Sequence, residues 1–360
     1  MITVLIIITL FVAYANGAND VSRGIATLFG SGVSNYKAAV IWGTIWTVLG
    51  ALTASVMTQA LVATFSGKGL LQTPSTAPAF LLAVAIGAVG WLLIATRTGL
   101  PVSTTHSLTG ALVGVALINA GSGGILWSAV TKKVVYPLLL SPVISFALMM
   151  LILPLLRPLA RRIERYCLCI EQSESTLATP DGMLLRDTGS LNVGVAPQAH
   201  CGDSVARLTI IDGLHWISAG ATSFFRGLND TPKIIALGIA AAATTGISQK
   251  AFYVMLAAAM GAGSFISGRR VTETLAKKVV RLTPRNGFAA NLVTSLLVGF
   301  ASRLALPVST THVSSGAIIG GGIIDRTEVR WKTVFEMALA WIVTLPASAI
   351  IAAIVYKVIA

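Results

Sequence analysis

The heptapeptide Leu-Pro-Val-Ser-Thr-Thr-His occurs twice in this chain, at Leu100–His106 and again at Leu306–His312, 206 positions on. Each copy gathers hydroxyls and one imidazole between apolar segments: Ser103, Thr104, Thr105 and His106 in the first, Ser309, Thr310, Thr311 and His312 in the second. A proline opens each cluster, so a helix can start there with unpaired N–H groups beside the hydroxyls. Such a helix end favours an anion, and two of them face to face would enclose one small oxyanion. Arg97 and Arg303, each four residues before the proline, are candidates to balance its charge.

Acidic residues sharpen this reading. Asp20 is the only carboxylate before Glu164, and Asn19-Asp20 has a counterpart 210 residues on in Asn229-Asp230. A carboxylate inside an apolar stretch is costly, which makes it a functional candidate. The structural alternative is a helix N-cap before a glycine-rich turn. A cation follows each aspartate by three residues, Arg23 in the first half and Lys233 in the second. Each could form a local ion pair or face a bound anion, and the two roles are compatible. His106 and His312 are either hydrogen-bonded core residues or proton carriers. Glu273, in Gly268-Arg269-Arg270-Val271-Thr272-Glu273-Thr274, is expected to pair with its basic neighbours. Ser, His and Asp together also invite a hydrolase reading. Nothing resembles a nucleophile elbow, and a site duplicated in matching halves suits passage better than one-sided chemistry, so no enzyme is expected.

Composition says what must position these residues. Of 360 residues 55% are hydrophobic and 11% charged, with a mean hydropathy of +0.82. This is the composition of an all-α multi-pass membrane protein, not of a soluble domain. Expected spans lie near 2–18, 36–62, 79–96, 134–156, 209–225, 234–266, 287–302 and 333–357. Segments 101–119 and 307–324 carry the heptapeptides and read as full spans or re-entrant hairpins. Residues 3–15 lack a basic leader and read as a first helix of the mature chain. The net charge of +13 gathers in Arg157–Arg165 and Arg269–Arg285. In a membrane chain this reflects the positive-inside rule and a bilayer partner, not nucleic acid. Residues 157–207 are the one long polar stretch and read as a cytoplasmic linker between a first repeat, 1–156, and a second, 208–360. It holds Cys167, Cys169 and Cys201, expected as free thiols; with His200 they fit no common zinc spacing.

The duplication reaches beyond the heptapeptides: each half runs apolar helix, Asn-Asp, long helix, polar loop, helix, heptapeptide. The loop at 63–78 has one basic residue, Lys68; its counterpart at 267–285 has six. Equivalent loops so unequal in charge belong on opposite sides, which makes the repeats inverted and the 267–285 loop cytoplasmic.

Three features resemble the inorganic phosphate transporter family of cation-coupled phosphate permeases: Gly17-Ala18-Asn19-Asp20-Val21, the doubled Pro-Val-Ser-Thr-Thr-His, and Gly268-Arg269-Arg270-Val271-x-Glu273-Thr274. The resemblance implies two inverted repeats, each with a broken or re-entrant hairpin, and a homodimer in a prokaryotic inner membrane. It implies that Asn19, Asp20, Asn229 and Asp230 hold phosphate and its coupling cations, sodium near Asp20 and Asp230 or protons. Ser103, Thr104, Thr105, Ser309, Thr310 and Thr311 would ligate phosphate from the hairpin tips. The chain departs from the family signature Gly-Ala-Asn-Asp-Val-Ala-Asn at its last position, where Arg23 and Lys233 replace the asparagine. The expectation is therefore an alternating-access phosphate carrier in which these two cations supply charge otherwise brought by sodium. The alternatives are a sulfate or other tetrahedral oxyanion permease, or an oxyanion sensor with little flux.

Overall fold

Matching start and stop signals set two corresponding helices, one in each half. α5 (Pro78–Thr98) opens on Pro78 and is closed by Gly99 in the left-handed region, φ 77°. α12 (Pro284–Arg303) opens on Pro284, with Thr283 accepting a bond from the Asn286 N–H. Its chain turns at Ala305, φ 54°, where the first half has glycine. The closing bonds also match: Leu100 N–H donates to Ala95 O at 2.9 Å and Leu306 N–H to Ala301 O at 2.8 Å. Ala305 thus holds a conformation that costs an L-residue about 1 kcal/mol.

The computed structural model describes residues 1–57, 59–163, 166–178, 184–197 and 206–360. In the first half, α1 (Ile2–Asp20), α2 (Ser22–Gly30), α3 (Tyr36–Met57) and α4 (Gln59–Phe65) precede α5. After it come α6 (Thr104–Ala120), α7 (Trp127–Val130) and α8 (Tyr136–Ile163). The second half repeats the order with α9 (Ile210–Thr244), α10 (Gln249–Ser267), α11 (Arg269–Lys277), α12, α13 (Thr310–Ile324) and α14 (Trp331–Ile359). Among the described residues, six segments are long and apolar enough to cross a membrane, so this is an integral multi-pass protein. α8 and α14 expose rows of large apolar side chains, among them Leu139, Leu151, Leu155, Phe335, Ile342 and Ile354, as a lipid-facing surface requires.

The Asn-Asp pairs do not lie at turns. Val21, between α1 and α2, is itself helical (φ −55°, ψ −31°), so Ile2–Gly30 is one rod. α9 likewise runs unbroken through Asn229, Asp230 and Pro232, where the hydropathy reading placed two spans. The glycines beside these pairs mark helix crossings. α1 meets α10 where a Cβ on Gly17 would stand 2.0 Å from the Met260 carbonyl oxygen, and one on Gly263 1.9 Å from that of Tyr14. α9 meets α3 in the same way, through Gly227 against Thr47 O (2.3 Å) and Gly50 against Phe224 O (2.0 Å). Small residues let backbones touch where lipid gives no hydrophobic drive for association. Each crossing joins one half to the other, so they hold the repeats together. Gly17→Leu should therefore lose the monodisperse peak in detergent size-exclusion chromatography, while Gly213→Leu, where nothing lies within 4 Å, should keep it.

Between the halves, α8 continues past the expected boundary at 156 to Ile163. The segment read as a linker carries β1 (Tyr166–Ala178), β2 (Leu184–Pro197) and β3 (Ala206–Thr209), an antiparallel sheet in the order β2-β1-β3. Cys167 is buried and disulfide-bonded, so it is not the free thiol expected. Strand pairing holds its backbone in a fixed register, the lightly folded form of the linker. Cys201 and His200 lie outside the described residues.

Candidate anion site

Each heptapeptide occupies a break between two helices and then starts the second. Ser103 caps α6 by accepting the His106 N–H at 3.2 Å, and Ser309 caps α13 by accepting the His312 N–H at 3.2 Å. The two tips meet. Thr105 Oγ1 donates across to Val308 O (3.3 Å), and Thr311 Oγ1 donates to Val102 O (2.8 Å). The N-terminal turns of α6 and α13 are thus brought face to face, with their threonines buried.

The Asn-Asp pairs point into this junction. Asp20 accepts from Arg23 Nη2 at 2.8 Å, from Asn16 Nδ2 at 2.8 Å and from Thr104 Oγ1 at 3.1 Å. Asp230 accepts from Lys233 Nζ at 3.0 Å and from Asn16 Nδ2 at 3.2 Å. Neither aspartate caps a helix. Asn19 and Asn229 are anchored alike, donating to Thr96 Oγ1 (3.2 Å) and Ser302 Oγ (2.9 Å). All of these side chains are buried.

The two cations occupy matching cages. Arg23 reaches Asn19 Oδ1 (2.9 Å), Val102 O (2.9 Å) and Thr311 Oγ1 (2.6 Å) as well as Asp20. Lys233 reaches Asn229 Oδ1, Val308 O (3.2 Å) and Thr105 Oγ1 (2.7 Å) as well as Asp230. Each cage takes the tip threonine of the opposite half and the valine carbonyl of its own. The cluster therefore has the two-fold relation that the duplicated sequence implies.

A third cation was not legible in the motifs. Arg226, fully buried, lies 210 residues after Asn16 and touches it: Nη1 donates to Asn16 Oδ1 at 3.2 Å and Nη2 to Thr47 Oγ1 at 2.6 Å. Its Nε–H has no acceptor. Arg23, Arg226 and Lys233 thus confront Asp20 and Asp230, and the buried cluster carries one positive charge in excess. Burying such an excess is unfavourable unless an anion offsets it.

Other expected residues fall elsewhere. Arg97 and Arg303 are exposed and stand outside the cluster. Glu273 pairs with Arg269 at 2.9 Å on α11, the local partner expected for it. His106 and His312 stack with ring centroids 4.6 Å apart, and Trp341 lies 4.1 Å from His312. His312 Nδ1 contacts Leu138 O at 3.2 Å. Neither imidazole bonds to the aspartates or to the buried cations. No group of three or more His, Cys, Asp or Glu side chains fit to hold a metal occurs among the described residues.

The profile of the phosphate transporter family matches residues 16–352. The chain belongs to the phosphate transporter family. A probable low-affinity inorganic phosphate transporter of Rhizobium meliloti is 28% identical, over 98% of this chain and 94% of its own. A putative phosphate permease of Pyrococcus horikoshii is 29% identical, over 96% of this chain and 95% of its own. Among solved structures, a sodium-dependent phosphate transporter shares the fold with a TM-score of 0.77, covering 99% of this chain and 98% of its own at 21% identity. In this family member the residues missed by motif reading are Asn16, Thr47 and Arg226. The available signal was a lone arginine in an apolar helix at the repeat position of Asn16.

Proposed function

We propose that this chain carries inorganic phosphate across the membrane by alternating access between its two halves, and that Arg23 and Lys233 stand where co-transported cations would otherwise bind. Turnover then draws on protons or on no coupling ion, and not on sodium. The observation that carries this reading is the pair of reciprocal oxygen cages. Asparagine, aspartate, threonine and carbonyl oxygens converge on each buried cation, the donor set of a hard metal ion, and a side-chain cation fills it. The phosphate oxygens would take the N-terminal turns of α6 and α13 with Thr104 and Thr310, against the excess charge set by Arg226. Asp20 and Asp230 already accept from protein donors, but a carboxylate keeps further lone pairs, so they favour an anion with a proton to donate, which hydrogen phosphate has and sulfate lacks. Inversion of the repeats gives each tip a turn as the closed gate.

Uptake of labelled phosphate into proteoliposomes tests this. Uptake should saturate, resist a large excess of sulfate, and change less than about twofold, a few tenths of a kcal/mol, when potassium replaces sodium. Erasure by sulfate would make the chain a general oxyanion permease. A strict sodium requirement would overturn the role given to Arg23 and Lys233. Binding without flux would make it a sensor.

A further inference from the structure

Pseudo-symmetry offers two equivalent routes from the central cluster to the two membrane faces, and they differ in chemistry. One route runs along α2 between α9, α12 and α13, and polar side chains line it. Thr27 accepts from Asn291 Nδ2 at 2.8 Å, and Thr222 donates to Asn291 O at 2.9 Å. Several groups have no partner at all: Ser223 Oγ, both nitrogens of His215, the Asn291 Oδ1 and both polar atoms of Asn286. All of these residues are at most 2% exposed. The repeat mates on the other route are apolar and equally buried: Val12 for Thr222, Ala13 for Ser223, Leu5 for His215, Phe80 for Asn286, Ala85 for Asn291 and Leu237 for Thr27.

The polar route has a destination. Asn286 stands in the first turn of α12, and a cavity of about 550 Å³ lies at the C-terminal end of α2, lined also by Leu282 just before that turn. Gly30, Lys277, Arg281, Arg330 and Glu328 line that cavity. Three cations against one carboxylate there would focus anions. From Arg23 to Gly30 the route follows seven residues of α2, about 10 Å at the helical rise. Glycines let the walls close: Ser223 Oγ would stand 2.1 Å from a Cβ on Gly24, and His215 Cε1 2.2 Å from one on Gly287.

We propose that this column is the hydrated passage by which phosphate moves between the central cluster and the basic face, with the basic cavity as its vestibule, and that it is shut here. The argument rests on the carrier reading above and adds the route. Buried groups that lack partners are costly when dry and are satisfied by water or a passing anion. A repeat that keeps such groups on one route, and none at the mates, marks the route that fills. The basic loop makes this the cytoplasmic half by the positive-inside rule.

Single cysteines test it. Ser223→Cys, close to isosteric, and Asn286→Cys are compared with their mates Ala13→Cys and Phe80→Cys. A small anionic, membrane-impermeant thiosulfonate is added from the basic-loop side, and wild-type labelling is subtracted. The passage cysteines should react at least about tenfold faster than the mates, a difference of about 1.4 kcal/mol in barrier. Equal, slow labelling of all four in vesicles that take up phosphate would overturn the passage. If wild-type vesicles took up no phosphate while the contrast persisted, the cargo would be wrong and the passage would stand.

Discussion

Replacing Arg226 by glutamine should raise the KM for phosphate uptake by about tenfold to a hundredfold, or about 1.4 to 2.8 kcal/mol of lost anion binding. Two carboxylates and three cations lie buried together; without Arg226 the sum is neutral and no longer calls for an anion. Two unit charges about 5 Å apart interact by roughly 3 kcal/mol at an effective dielectric of about 20, and desolvation takes back part of that. Arg226→Lys keeps the charge but not the planar fork that spans Asn16 and Thr47, so it should fall between wild type and glutamine. The readout is initial uptake against phosphate concentration, with detergent size-exclusion chromatography to show that each variant folds. An unchanged KM in Arg226→Gln would remove this arginine from anion binding.

The elements of the site were legible because the duplication is local and chemical. Identical heptapeptides announced two helix starts, and Ser103 and Ser309 cap them. The Asn-Asp pairs announced buried carboxylates, and both aspartates lie in the cluster. Their surroundings were read wrongly for one physical reason. Glycine next to a polar pair signals a turn in soluble chains, whereas Gly17 and Gly227 allow helix crossings in lipid. That error suggested helix caps for the aspartates, while the polar run from Arg226 to Lys233 split α9 into two apolar spans. Arg97 and Arg303 were candidates by sequence proximity, but each stands at the end of its helix facing outward. Arg226 was hidden because its partner in the repeat is a neutral asparagine; only the fold shows that the two touch. The sheet at Tyr166–Ala178 and Leu184–Pro197 gave no clear alternation of apolar and polar residues, the signal by which a strand is read.

If Arg23 and Lys233 stand in for co-transported cations as proposed, converting both to the family asparagine, Arg23→Asn with Lys233→Asn, should create a sodium requirement. Each cation neutralises one aspartate at 2.8 Å and 3.0 Å respectively. Removing a single partner from a buried pair leaves an uncompensated charge and costs about 3–5 kcal/mol, so each single variant should lose most uptake in potassium medium. In the double variant both cages keep their oxygens: Asn19, Asp20, Val102 and Thr311 on one side, Asn229, Asp230, Val308 and Thr105 on the other. A sodium ion in each restores the charge and satisfies the oxygens that the side chains used to fill. Uptake should then rise and saturate with sodium, and the melting temperature should rise with it. At a hundredfold excess over Kd, one bound ion stabilises the fold by about 2.7 kcal/mol. Potassium, with its larger radius, should do neither as well. A double variant with the ion dependence of the wild type would show that Arg23 and Lys233 serve the fold alone. The gain of sodium dependence would locate the difference between a sodium-driven and a sodium-independent carrier in two side chains, because every other ligand of both cages is already in place.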